Sequence, residues 1–138
     1  MSLFNIFDVA GSGMSAQSVR LNVVASNLAN ADNLSGSEAG AYRAKQPVFS
    51  VIYGSALDGG LNINGVKVAS IDESTAPIQV RHMPGNPLAD ANGNVYGSNV
   101  NSIEEMTNMI SASRSYQNDI EVMNASKQML LRTLTLGS

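Results

Sequence analysis

Side chains able to do chemistry are few in this chain, and none stands in company. The single histidine, His82, lies in Arg81-His82-Met83-Pro84-Gly85, and the sequence has no cysteine. A nucleophilic triad would have to be built on that one imidazole, with Arg81 and Asp90 as its polar company. A zinc site would need its other ligands from scattered carboxylates. The pattern reads as an exposed loop histidine. Asp90-x-Asn92-x-Asn94 has the opening spacing of a calcium loop, but that pattern then asks for Gly and Glu where the chain has Val95 and Asn101. A solvated turn is the better reading. Gly11-Ser12-Gly13 lacks the third glycine, the lysine and the preceding strand of a phosphate loop, and reads as a soft point in a helix. Glu104 and Glu105 are neighbours in sequence, so on a helix they diverge and suit capping rather than acid–base work. These residues lead us to expect a chain that is not an enzyme, with no metal and no cofactor.

Composition narrows the field further. Charged side chains make up 14% of the 138 residues and the net charge is −3, against about 25% charged in an ordinary globular domain. Eight scattered bases give no cationic face for nucleic acid. No apolar run approaches the length of a membrane span, so no membrane insertion is expected. The start, Met1-Ser2-Leu3-Phe4-Asn5-Ile6-Phe7-Asp8, has neither a basic n-region nor a small-residue cleavage site, so no cleaved signal peptide is expected. Apolar residues total 43%, with seven methionines and no tryptophan. Such a core is built from small and pliable side chains, which suits helix packing.

What must hold these residues in place divides into three parts: 1–33, 34–99 and 100–138. All four prolines and nine of the twelve glycines lie in the middle part, leaving both ends free to run as helices. In the first, Phe7, Met14, Leu21 and Leu28 recur every seven residues, with Ala10, Gln17, Val24 and Ala31 at the +3 offset. In the last, Met109, Tyr116, Met123 and Leu130 repeat in the same way, and Met106, Ser113, Ile120, Lys127 and Leu134 form the partner row. Ser102-Ile103-Glu104-Glu105 reads as a capping box, and Gly137 as a stop. In the middle, Asn64-Gly65 signals a type I′ hairpin between Leu61-Asn62-Ile63 and Val66-Lys67-Val68. Val48 to Tyr53 and Ile78-Gln79-Val80 are further strand candidates, the latter demoted to an edge by Pro77. The expected fold is mainly α with a small β-containing middle. Two long terminal helices form an antiparallel coiled-coil-like pair, with an irregular short-strand lobe between them.

One pairing does not use up the apolar surface of these helices. Leu3, Phe4, Ile6, Val9, Val19 and Val23 lie off the first seam, and Ile103, Ile110, Val122 and Leu131 off the second. Apolar residues around the circumference imply more than one neighbour per helix, which points to a polymer component.

The motifs agree with that reading. Gly13-Met14-Ser15-Ala16-Gln17 and Arg20-Leu21-Asn22-Val23-Val24-Ala25-Ser26-Asn27-Leu28-Ala29-Asn30 resemble the N-terminal signature of the bacterial flagellar rod and hook proteins. Val100-Asn101-Ser102-Ile103-Glu104-Glu105-Met106, running into Met109-Ile110-Ser111-Ala112-Ser113-Arg114-Ser115-Tyr116-Gln117, is similar to the matching C-terminal half. Gln17, Arg20, Asn22, Ser26, Asn27, Asn30, Glu105 and Arg114 carry the motif. The resemblance implies a structural subunit of the proximal rod in the flagellar basal body. Such a subunit is exported by the flagellar type III apparatus without a cleaved signal and polymerises across the periplasm. Its terminal helices would form the inner tube, and its partners would be copies of itself, other proximal rod proteins, the basal adaptor and the distal rod. On that view Phe7, Met14, Leu21, Val24, Leu28, Met106, Met109, Tyr116, Ile120, Met123, Leu130 and Leu134 supply helix seam and subunit interface. Asn22, Asn27, Asn30, Asn118 and Asn124 would hydrogen-bond across subunit faces, and Gly11-Ser12-Gly13 would let the first helix bend. The competing reading is a soluble helical adaptor or export chaperone that binds another protein's helices.

Overall fold

Low-propensity glycines do not stop the first apolar periodicity from closing into one helix. The computed structural model describes residues 3–54 and 63–136. Helix α1 spans Leu3–Ala29 without interruption, and α2 spans Ser102–Leu136. Between them run β1 (Leu34–Ser35), a single 3-10 turn at Glu38–Gly40, β2 (Lys45–Tyr53), β3 (Ile63–Glu73), β4 (Gln79–His82) and β5 (Asn94–Gly97). The helices lie antiparallel: Gly13 sits beside Asp119, and Arg20 donates to Asn108 further along.

The middle is richer in sheet than the expected short-strand lobe, and that expectation is corrected here. Five strands form two antiparallel sheets, one ordered β1-β5-β4 and one a long β2-β3 ribbon that packs on α1. The misreading turns on Asn64-Gly65. Instead of a two-residue turn, the pair lies inside β3, where Ile52 faces Gly65 and Tyr53 faces Ile63. Asn64 is thus the extra residue of a β-bulge, which an Asn-Gly pair suits as well as it suits a turn. The flanking Leu61 and Asn62 lie outside the described residues. Pro77 does precede an edge strand, since β4 ends the three-stranded sheet.

The cap of α2 also shifts by one residue. Asn101 Oδ1 accepts from the amides of Ile103 (3.1 Å) and Glu104 (3.4 Å), so Asn101 rather than Ser102 is the N-cap. Glu105 then falls one place too late to complete a capping box, and its side chain turns into the protein.

The interior is made of small side chains: Ala10, Ala16, Val23 and Val24 from α1, Ala112 from α2, and Ala41, Ala44, Val95 and Val100 from the middle. Asn27, at 0% exposure, is its polar anchor. Its Nδ2 donates to the Lys45 carbonyl (2.8 Å), while its Oδ1 accepts from the Lys45 amide (2.9 Å) and the Tyr42 hydroxyl (3.0 Å). Asn99 works alongside, accepting from the Ala44 amide (2.7 Å) and donating to the Ala76 carbonyl (2.9 Å). Two asparagines therefore fix where β2 leaves the helix pair.

Candidate functional site

The surface most fit for a function is the helix pair, and it is built one row at a time. On α1 the row Phe7, Met14, Leu21 and Leu28 is half-buried, and Ala10 and Val24 of the second row are buried. On α2 the row Met109, Tyr116, Met123 and Leu130 is likewise half-buried. Its companion is not the row Met106, Ser113, Ile120, Lys127 and Leu134 read from the sequence. Glu105, Ala112 and Ser126 are buried and Asp119 is half-buried, whereas Met106, Ile120 and Leu134 lie open at 54%, 37% and 64% exposure. The inward row sits one residue earlier than the hydrophobic pattern suggests. Small side chains let α2 lie close to α1, and closeness places Glu, Ala, Asp and Ser at the seam.

What that leaves outside is apolar. Ile103 (78% exposed), Met106, Ile110, Ile120, Val122, Met129, Leu131 and Leu134 are uncovered along α2. The ribbon adds Val48, Phe49, Val51, Ile52 and Tyr53 from β2, with Ile63 and Ile71 from β3. An isolated exposed apolar residue needs no explanation, but the run Ile103, Met106 and Ile110, at helical spacing on one face, does.

Gly11-Ser12-Gly13 proves to be a docking notch, not a break. Ser12 Oγ donates to the Val9 carbonyl (2.8 Å) and accepts from the Val66 amide (3.1 Å), tying α1 to β3. Gly65, at φ +151°, makes room for it; a Cβ there would collide with the Ser12 hydroxyl. Gly13 lets Asp119 approach, while beside Gly11 there is open space. Burial against this part of α1 pushes the Asp119 carboxyl above its ordinary pKa.

The remaining motif residues separate into bonded and unbonded. Arg20 reaches Asn108 Oδ1 at 3.4 Å, Ser26 pairs with the Tyr42 hydroxyl at 3.2 Å, and Asn30 Nδ2 donates to the Ser26 carbonyl at 2.7 Å. Asn27 spends its bonds inside the molecule, so it is unavailable to a subunit face. Asn22, Asn118, Asn124 and Arg114 are exposed. Gln17 Oε1 and Glu105 Oε2 are buried without a hydrogen-bond partner among the described residues. Sequence reasoning missed Ser12, Tyr42 and Asn99 as structural links. The Ala112 and Ser126 spacing was the available signal for the true inner row.

His82 is exposed, with Nδ1 3.2 Å from Asn94 Oδ1. Asp90 instead organises a loop: its Oδ1 accepts from the Asn94 and Asn92 amides at 2.8 Å each, and its Oδ2 accepts from the Tyr96 hydroxyl at 3.0 Å. The Asn94 amide above all holds the Asp90 carboxyl below its usual pKa, and donation to Asp90 raises that of Tyr96. Among the described residues no group of three or more His, Cys, Asp or Glu side chains is placed to hold a metal ion.

Comparison with known proteins places this geometry in a context. The family described as "Flagella basal body rod protein" matches residues 7–33, and "Flagellar basal body rod FlgEFG protein C-terminal" matches residues 91–136. The chain is 58% identical over 137 residues to the flagellar basal-body rod protein FlgC of Salmonella typhimurium, covering 99% of each. It is 56% identical to its counterpart in Escherichia coli O157:H7 and 35% identical to that of Buchnera aphidicola subsp. Baizongia pistaciae, again over 99% of each chain.

Proposed function

The chain belongs to the FlgC family of flagellar basal-body rod proteins, and from that premise we propose that it polymerises through the uncovered faces of its two terminal helices. It is a structural subunit of the basal-body rod, and it associates with other rod components. In our reading residues 1–33 and 100–138 make the inner, tube-forming part, and residues 34–99 face outward. The subunit enters the periplasm through the flagellar export apparatus, keeps its N-terminus, and takes its place in the proximal rod between the basal adaptor and the distal rod. Nothing in this role calls for catalysis.

One observation carries the proposal. Helix α2 turns its small and polar row toward α1 and leaves Ile103, Met106, Ile110, Ile120 and Leu134 open. Water is the costly neighbour for that row, and another subunit is the economical one. The helices' low charge keeps the desolvation of such a contact small.

The test is complementation of a strain that lacks this chain. Met106→Asp and Ile110→Asp together should abolish swimming and leave basal bodies without a completed rod, while circular dichroism of the purified chain is unchanged. Normal swimming by that double variant would overturn assembly through this face. A monomeric, soluble partner recovered in place of a rod would favour an adaptor.

A further inference from the structure

Where α1, α2 and the start of β2 meet there is a cleft of about 440 Å³, walled by Arg20, Val24, Pro47, Phe49, Glu105 and Asn108. Glu105 is only 7% exposed, and its Oε2 has no hydrogen-bond partner among the described residues. A carboxylate in that position is costly unless a donor reaches it. Neither cation bordering the same cleft is bonded to Glu105 among the described residues. Arg20 donates to Asn108, and the Lys45 ammonium lies 5.9 Å from the centre of the Tyr42 ring. The other acid on the wall, Glu104, is exposed and can keep its water.

The chain carries the missing donor elsewhere on its own surface. Arg114 is exposed and makes no hydrogen bond or ion pair among the described residues. It continues the open row Ile103, Met106, Ile110 at helical spacing on α2. Lys127 lies on another face of the helix, and Arg132, about five turns beyond Arg114 on the same face, stands far from the Ile103, Met106 and Ile110 run. Phe49, at 39% exposure, gives the cleft an apolar lip for the row to rest on.

We propose that the Arg114 guanidinium of a second copy of this chain enters the cleft and pairs with Glu105. A guanidinium carries several donors in one plane, so it can bond the Glu105 carboxylate from the cleft and keep donors for the cleft wall, where a lysine offers a single point charge. Donor and acceptor occupy different patches of one chain, so the contact is heterologous and propagates from copy to copy without closing into a two-fold dimer. The proposal rests on the rod reading and adds the polar pair that sets the register of the apolar contact.

The absence of cysteine from the chain makes the test clean. Glu104→Cys on the cleft wall and Gln117→Cys one turn beyond Arg114 are introduced together, and motile cells are treated with a short bis-maleimide. Cross-linked dimers and larger multiples of the chain are expected, and neither single variant should give them. Absence of cross-links in cells that swim normally would overturn the pairing, and so would capture of a different rod protein at Glu104→Cys. Independently, Arg114→Glu should reduce swimming at least tenfold with an unchanged dichroism spectrum, and Glu105→Arg added to it should restore part of the loss. Full motility of Arg114→Glu would refute the pairing while the rod role stood. Undiminished motility in a strain lacking the whole chain would refute the rod role itself.

Discussion

Asn27 shows what one side chain can hold together. It bonds three groups of β2 and the segment before it, and the site is fully closed to water. Asn27→Ala strands these partners, so unfolding in urea should show a loss of about 2–4 kcal/mol, given about 1–3 kcal/mol for each buried group left unmade and some relief by water. The motif around Asn27 was legible in the sequence, but its partners were not. Nothing in residues 20–30 says that Lys45 and Tyr42 will stand beside them. Asp119 makes the opposite case. Burial raises its pKa, so the folded chain holds that proton more firmly than the unfolded one does. Its contribution to stability is then complete below the ordinary aspartate range and is lost as pH rises through the folded pKa. Asp119→Asn should stabilise the isolated chain at neutral pH, and thermal melts should show that advantage vanish in acid.

For whole elements, the two helices were the easiest part to read and the α2 seam the easiest to misplace. Periodicity located both helices and the Met109, Tyr116, Met123, Leu130 row, because burial of large apolar groups leaves a strong signal. The facing row is chosen by closeness of approach, and closeness selects Ala112 and Ser126 over Ile120 and Leu134. A hydrophobicity count cannot see that preference. The strands were obscured for a related reason: the β2-β3 ribbon leaves apolar residues uncovered, so inside and outside do not alternate cleanly. Substitutions separate the roles. Ala112→Leu overfills a position with 0% exposure and should cost about 1–3 kcal/mol in urea titrations. Asn101→Ala should cost about 1 kcal/mol as a lost cap, with Ser102→Ala much nearer neutral. Along α1, Gly11→Ala meets open space and should gain about 0.5–1 kcal/mol of helix stability. Gly65→Ala, forced against Ser12 at a positive φ, should instead lose about 1–3 kcal/mol.

The molecule as a whole leaves its folding unfinished. Alanines and valines supply most of the buried apolar residues, and large apolar groups remain open on α2 and the ribbon. Transfer free energy follows buried apolar area, so a core of small side chains gives a modest margin and the open faces hold what is left to gain. The helix lengths locate where that gain is greatest. With 27 residues in α1 and 35 in α2, the helices measure about 40 Å and 52 Å at 1.5 Å per residue. Antiparallel pairing puts Gly13 at Asp119, so the first residues of α1 fall near Ser126 and the final turns of α2 run beyond its partner. There Met129, Leu131 and Leu134 are exposed and Leu130 is half-buried. Backbone hydrogen bonds in such a segment open with little loss of packing, and a neighbouring subunit removes that freedom. In hydrogen exchange of the isolated chain, the amides of residues 128–135 should exchange far faster than those of residues 105–120. In assembled basal bodies the two segments should be protected alike. Equal protection of both segments in the dilute monomer would mean that one chain already satisfies its own helices, leaving assembly nothing to complete.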